Sequence, residues 1–152
     1  MPQVKPASKP FLVYVDDDED DLLLVKGALS PYENVIELHL LQNGYEGYNF
    51  LLSLEKKQQK PCLIILDINM PLMSGKELLP ILRSLPFFTD VPIILFTTSS
   101  MEHDYRFALQ YDAGFITKPM TVEQMHTIVE QFLGYCSAQV REIIKGNGTY
   151  NR

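Results

Sequence analysis

Phe11-Leu-Val-Tyr-Val-Asp-Asp-Asp-Glu-Asp-Asp21 joins a short apolar run of strand formers to six consecutive carboxylates, and Leu22, Val25 and Leu29 then repeat at helical spacing. A strand that stops at acids and hands over to a helix is the opening of a βα unit, and the pattern recurs along the chain. Ser30-Pro31 breaks the first helix, Val35 to Leu41 reads as a second strand, Asn43-Gly44 as a turn, and Tyr45, Tyr48 and Leu52 as one face of a second helix. Glu55 to Lys60 is a polar loop. Cys62-Leu-Ile-Ile-Leu66 is a continuous apolar run of the kind buried on both faces of a parallel sheet, and it ends at Asp67. After a loop from Asn69 to Gly75, Leu78, Ile81, Leu82 and Leu85 predict a third helix, with Pro80 in its first turn or at a kink. Val91-Pro-Ile-Ile-Leu-Phe96 is a fourth buried strand ending in Thr97-Thr98-Ser99-Ser100. Met101, Tyr105 and Ala108 mark a fourth helix closed by Gly114, and Phe115-Ile-Thr117 is a fifth strand ended by Lys118-Pro119. Val122, Met125, Val129, Phe132 and Leu133 form the apolar face of a fifth helix.

The pattern predicts a (βα)5 domain, a doubly wound α/β fold whose parallel sheet carries helices on both faces, joined by right-handed crossovers. Ligands in such sheets bind beyond the carboxyl ends of the strands. Asp16 and Asp17 stand there after the first strand, Asp67 after the third, Thr97 after the fourth and Lys118 after the fifth.

Composition bounds the function. The 152 residues are 46% hydrophobic, enough for one buried core, and the formal charge of −6 removes the electrostatic case for nucleic acid or anionic membrane as main partner. The acid excess sits in Asp16 to Asp21; the remaining acids balance the bases. The leader, residues 1–9, is polar and proline-bearing, and no apolar run approaches the roughly 20 residues of a membrane span, so a cytoplasmic protein is expected. Cys62 and Cys136 show neither metal nor redox spacing and are expected to be reduced and structural. The domain should occupy residues 10–133, and residues 134–152 form an extension too short for a DNA-binding output domain.

Three carboxylates converging at one sheet edge repel each other, and a hard cation with oxygen ligands relieves them. Mg²⁺ suits a shallow site near Asp16, Asp17 and Asp67, because it retains waters and takes one or two carboxylates plus phosphate oxygens. A hydroxyl at Thr97 and an ammonium at Lys118 supply a donor and a positive charge to an anion held there, which together favour phosphoryl transfer. A carboxylate can be the nucleophile. Asp67, alone on a central strand, fits that role better than the paired Asp16 and Asp17.

These residues resemble the receiver domain of two-component response regulators, the family of the bacterial chemotaxis regulator and of phytochrome-type stand-alone regulators. The resemblance spans about residues 10 to 133. It rests on Asp16-Asp17, on Asp67-Ile-Asn-Met-Pro-Leu-Met-Ser-Gly75, on Thr97 and on Lys118-Pro119, in that order and spacing. It implies a flavodoxin-like five-stranded sheet of order 2-1-3-4-5. It further implies that Asp67 accepts phosphate from a sensor histidine kinase, directly or through a histidine phosphotransfer protein, and that a downstream protein target reads the result. Asp17 would be a direct Mg²⁺ ligand, Asp16 would act through water, and Asn69 would give its backbone carbonyl. Thr97 would move to bond the phosphoryl group, Lys118 would pair with it, and Phe115 would be the switch aromatic. Phenylalanine there lacks the hydroxyl of the common tyrosine, and Thr98 is larger than the usual Ala or Gly and narrows access to an acyl phosphate.

Plainer roles compete. Asp18 to Asp21 read as a solvated face that also favours the helix dipole, with Asp20 as N-cap. Thr97 and Lys118 taken singly could be a strand-end hydroxyl and a helix-flanking cation, and His39, His103 and His126 are surface or packing residues. A haloacid-dehalogenase-like phosphatase would use the Asp-x-Asp of Asp16-Asp17-Asp18, but no acidic pair follows Lys118. A receiver-like binding module that is never phosphorylated would not need the complete acid set. In the extension, Val140, Ile143 and Ile144 at helical spacing predict a short amphipathic helix over Ser137 to Lys145. Nine residues are not stably helical alone. The segment should extend the fifth helix, fold onto its own domain, cover another protomer in a homodimer, or fray.

Overall fold

The computed structural model describes residues 9–119 and 121–148, so positions 1–8 of the leader and 149–152 of the extension lie outside the described residues. Five strands, β1 (Phe11–Val15), β2 (Glu37–Leu41), β3 (Leu63–Leu66), β4 (Ile93–Thr97) and β5 (Gly114–Thr117), form one parallel sheet in the order β2-β1-β3-β4-β5. Between and after them run α1 (Glu19–Leu29), α2 (Gly44–Lys57), α3 (Gly75–Ser84), α4 (Glu102–Gln110), α5 (Val122–Gly134) and α6 (Ala138–Gly148). The alternation of strands and helices is the one the apolar runs predict, and the flavodoxin-like strand order is the one the receiver resemblance implies.

The pleat divides the core in two. Leu12 and Tyr14 of β1, Leu63 and Ile65 of β3 and Ile94 and Phe96 of β4 pack on α1 and α5 through Leu22, Val25, Leu29, Val129 and Phe132. Val13, Val15, Ile64, Leu66, Ile93 and Leu95 point the other way, onto Leu51 and Leu54 of α2, Leu78 and Leu82 of α3 and Ala108 of α4. Because both faces are covered, the central strands read as unbroken apolar runs, each fully buried side chain contributing about 1.5–3 kcal/mol.

Several local expectations shift. β2 begins at Glu37 and not Val35, because the Val35 and Ile36 N–H groups both donate back to Tyr32 O at 2.9 Å and prolong the turn at Ser30–Tyr32. Asn43 is not in a free turn; it caps α2 by accepting the Glu46 N–H at 2.8 Å. The buried face of α2 runs through Gly47, Leu51 and Leu54, while Tyr45 is exposed. α1 is capped by Asp18, whose Oδ1 accepts from Asp20 and Asp21, and not by Asp20. Pro80 lies in the second turn of α3, past its first turn. α4 ends before Gly114, with Asp112 in the left-handed region (φ 52°), and Gly114 instead opens β5, where a Cβ would fall 2.6 Å from the Tyr135 ring. The two cysteines, 74 positions apart in sequence, bring their sulfurs to 3.8 Å, both as free thiols.

The extension folds back on its own domain. α5 stops at Gly134, the chain turns, and α6 begins after Ser137, whose Oγ accepts the Val140 N–H at 3.3 Å. Ile144 is 6% exposed in the core cluster that holds Leu29 and Tyr32, and Ile143 is 41% exposed on the opposite side. Docking supplies the stability that so short a helix lacks alone. Ile144→Ala should therefore lower unfolding stability by about 2 kcal/mol, whereas Ile143→Ala should stay within about 0.5 kcal/mol of the parent in urea titrations. Equal effects would contradict this packing.

Candidate functional site

Strand register decides which side chains meet. Val15 of β1 lies opposite Leu66 of β3, so the next residues, Asp16 and Asp67, leave the sheet side by side. Their backbones prolong the ladder: Asp67 N–H donates to Val15 O and Asp16 N–H to Leu41 O, both at 3.0 Å. Thr97 lies opposite Thr117, so Lys118 emerges beside it, its N–H donating to Thr97 O at 2.6 Å. One carboxylate oxygen each from Asp16, Asp17 and Asp67 fall within 4.8 Å of one another. Spacing in sequence has become a cluster.

Each carboxylate has a different environment. Asp16 is fully buried and saturated: Oδ2 accepts the Tyr14 hydroxyl at 2.6 Å and lies 2.8 Å from Lys118 Nζ, and Oδ1 accepts the Asp18 N–H at 2.9 Å. Asp17 is exposed, an open ligand at the rim. Asp67 is nearly buried, and burial first, then the neighbouring charge of Asp16, push its carboxyl up to about 7 against the opposing pull of Lys118. Lys118 Nζ stands 2.8 Å from Asp16 and from Asp21, 3.4 Å from Asp67 Oδ1 and 5.9 Å from the Phe96 ring centroid. Burial would favour its neutral amine, but the Asp16 and Asp21 carboxylates hold the proton well above the usual lysine range. Burial and then Asp16 drive the Tyr14 hydroxyl far up, so it stays protonated and donates to Asp16.

The loop after Asp67 is folded tightly against it. Gly75 N–H donates to Ile68 O at 2.9 Å, and a Cβ at Gly75 would sit 2.2 Å from the Asp67 carbonyl oxygen, which is why glycine stands there. Asn69 is exposed on this loop. Thr97 is fully buried and its Oγ1 accepts the Ser99 N–H at 3.1 Å; Phe115 is half-buried and meets the edge of Tyr105 at 5.9 Å between centroids.

Two members of the site escape the sequence reading. Asp21 is not part of a solvated face: it ion-pairs with Lys118 across 97 positions of sequence. Tyr14, two residues before Asp16 in an extended strand, shares its side of the sheet; that period of two was the available signal. The histidines are packing or surface residues, His39 lying between the rings of Phe11 and Phe50.

Such a cluster suits a hard cation bound by oxygen, and the exposed Asp17 leaves it open to solvent ligands. Among the described residues no helix is long and apolar enough to cross a membrane.

Comparison with known proteins agrees with this geometry. The chain is 26% identical over 122 residues to the response regulator Rcp1 of Synechocystis, covering 78% of this chain and 83% of that one. It is 31% identical over 126 residues to the chemotaxis protein CheY1 of Helicobacter pylori, covering 81% and 96%. Among solved structures, the phosphorylated cyanobacterial phytochrome response regulator RcpA superposes with a TM-score of 0.78 at 24% identity, over 87% of this chain and 96% of that one. The Mn²⁺-bound form of Rcp1 gives 0.72 at 26% identity, over 80% and 90%. The response regulator receiver domain model matches residues 12–130, which settles the choice against a dehalogenase-type phosphatase. With the strand-end acids gathered as that fold requires, the chain belongs to the response regulator receiver domain family.

Proposed function

We propose that Asp67 accepts a phosphoryl group from a phosphohistidine donor, a sensor histidine kinase or a histidine phosphotransfer protein, and that a downstream protein target reads the change. The observation that carries this is the environment of Asp67: a nearly buried carboxylate at the end of a central strand, beside two further acids and 3.4 Å from an ammonium. In the transfer the N–P bond of the donor breaks as a bond from an Asp67 oxygen to phosphorus forms. Attack requires the ionised carboxylate, which Lys118 favours. Asp17, Asp67 and the Asn69 backbone carbonyl would hold Mg²⁺ directly and Asp16 through water. The ion, when bound, neutralises the acids and the phosphoryl oxygens together. Thr97 and Lys118 then take the phosphoryl oxygens as hydrogen-bond donor and counter-charge.

Phe115 reports the change by packing alone, because its ring carries no hydroxyl. The exposed Tyr105 and Leu109 of α4 and Val122 of α5 flank the β5 edge of the sheet from its two faces and support an output surface there, for a target or a second protomer. A phosphohistidine donor of the two-component type supports a cytoplasmic location.

Incubation with acetyl phosphate and Mg²⁺ should add one phosphoryl group, at Asp67, by mass spectrometry. Asp67→Asn or EDTA should abolish it, and a label that survives the substitution would refute the assignment. Asp17→Ala should raise the Mg²⁺ concentration needed for labelling about tenfold or more.

A pH prediction follows from the raised carboxyl of Asp67. Between its ordinary 3.8 and about 7 the folded protein keeps a proton that the unfolded chain has released, so without metal this residue makes stability fall as pH rises through that window. In EDTA, the melting temperature of Asp67→Asn relative to the parent should climb by about 2–4 °C or more from pH 4 to pH 8. Added Mg²⁺ should shrink the difference by stabilising the parent more than the variant, which lacks one carboxylate ligand.

A further inference from the structure

Thr97 is tied into a chain of polar contacts that leaves the phosphoacceptor site. Its Oγ1 accepts the Ser99 N–H at 3.1 Å; Ser99 Oγ accepts the Met101 N–H at 3.2 Å and donates to Asp104 Oδ2 at 2.5 Å. Asp104 Oδ1 is ion-paired with Lys76 of α3, and His103 Nε2 lies 3.3 Å away. Asp104 is 5% exposed although it stands in the first turn of α4, where acids ordinarily face water as Glu102 does. Burial opposes its charge, but Lys76 and Ser99 hold the carboxyl below the usual aspartate range, so it stays ionised. The adjacent Tyr105 carries the ring that meets Phe115. One turn of α4 thus grips both the loop of Thr97 and the aromatic on β5.

We propose that Asp104 is a positioning residue for phosphoryl transfer: through Ser99 it fastens the loop that carries Thr97 to Lys76 on α3, and so opposes the movement of Thr97 toward the phosphoryl group. The inference rests on the role of Thr97 proposed above. α3 does not travel with the β4–α4 loop, because its first residue, Gly75, is bonded to Ile68 beside Asp67. A loop displacement must therefore stretch the Ser99–Asp104 contact or pull the first turn of α4 off Lys76. Ser99 has both its donor and its acceptor engaged, so either route costs a charge-assisted hydrogen bond at a buried carboxylate. Cutting this tie makes the phosphorylated arrangement easier to reach.

The test is the affinity for beryllofluoride in excess Mg²⁺, a phosphoryl mimic, measured for the parent, Ser99→Ala and Asp104→Asn together with their melting temperatures. Both variants should bind roughly threefold to tenfold more tightly, take label from acetyl phosphate faster, and show larger amide shifts at Phe115 at sub-saturating mimic. A purely structural role for Asp104 lowers the melting temperature and leaves affinity equal or weaker, and that result in the two variants would overturn the proposal. Ser99→Ala leaves the Lys76–Asp104 pair in place and reads the tie even if Asp104→Asn fails to fold. A parent that binds the mimic while the variants gain nothing refutes the tie alone; a parent that binds none refutes the phosphoacceptor reading, and the tie with it.

Discussion

Carboxylate crowding at the carboxyl end of a parallel sheet is the constraint on which the site depends. Two like charges within 4.8 Å at an effective dielectric constant of about 20 repel by on the order of 3–4 kcal/mol. That exceeds what an exposed ion pair returns, about 0–1 kcal/mol, so contacts at the surface cannot balance it. The fold meets the repulsion in three ways: it saturates Asp16 with donors, sets Asp17 in solvent, and brings the ammonium of Lys118 between Asp16, Asp21 and Asp67. Asp67 is left least supported as an anion, and its raised carboxyl is the residue of unrelieved charge. A site with three carboxylates around one ammonium and a fourth at its rim is built to take up another cation.

Rigid surroundings turn that imbalance into a usable state. Asp16 and Asp67 are fixed by ladder bonds to β2 and β1, and the loop behind Asp67 is pressed on it closely enough to demand glycine at position 75. A cation or a phosphoryl group therefore arrives at oxygens that hardly need to move, which lowers the ordering cost of binding. On the proposed reading the parts that respond lie one strand away, at Thr97, its tethered loop and the first turn of α4.

The ends of β1, β3 and β4 were legible because burial on both faces makes each of them an unbroken apolar run whose last residue is unmistakable, and Asp16, Asp67 and Thr97 stand at those ends; Lys118 follows the shorter, partly exposed β5 and was marked by Lys118-Pro119. The partnership of Lys118 with Asp21 was not, since it spans 97 positions and depends on the tertiary placement of the first turn of α1 against the residue that follows β5. Asp104 was not singled out in the sequence; only the tertiary placement of Lys76 and Ser99 shows why it is buried. The same holds for Cys62 and Cys136, whose proximity follows from the docking of the α5–α6 junction and from no local spacing. Amphipathic spacing identified α6, but its choice of its own domain as the covering surface was set by the apolar ground around Leu29 and Tyr32.

The central claim is that Asp67 carries the unrelieved charge of this cluster and is relieved by a divalent cation. Carbon-13 carboxyl titration of Asp67 by NMR measures this directly. Without metal its midpoint should lie near 7, and saturating Mg²⁺ should bring it down into the ordinary carboxylate range. A midpoint near 4 in metal-free buffer, or one indifferent to Mg²⁺, would contradict the account.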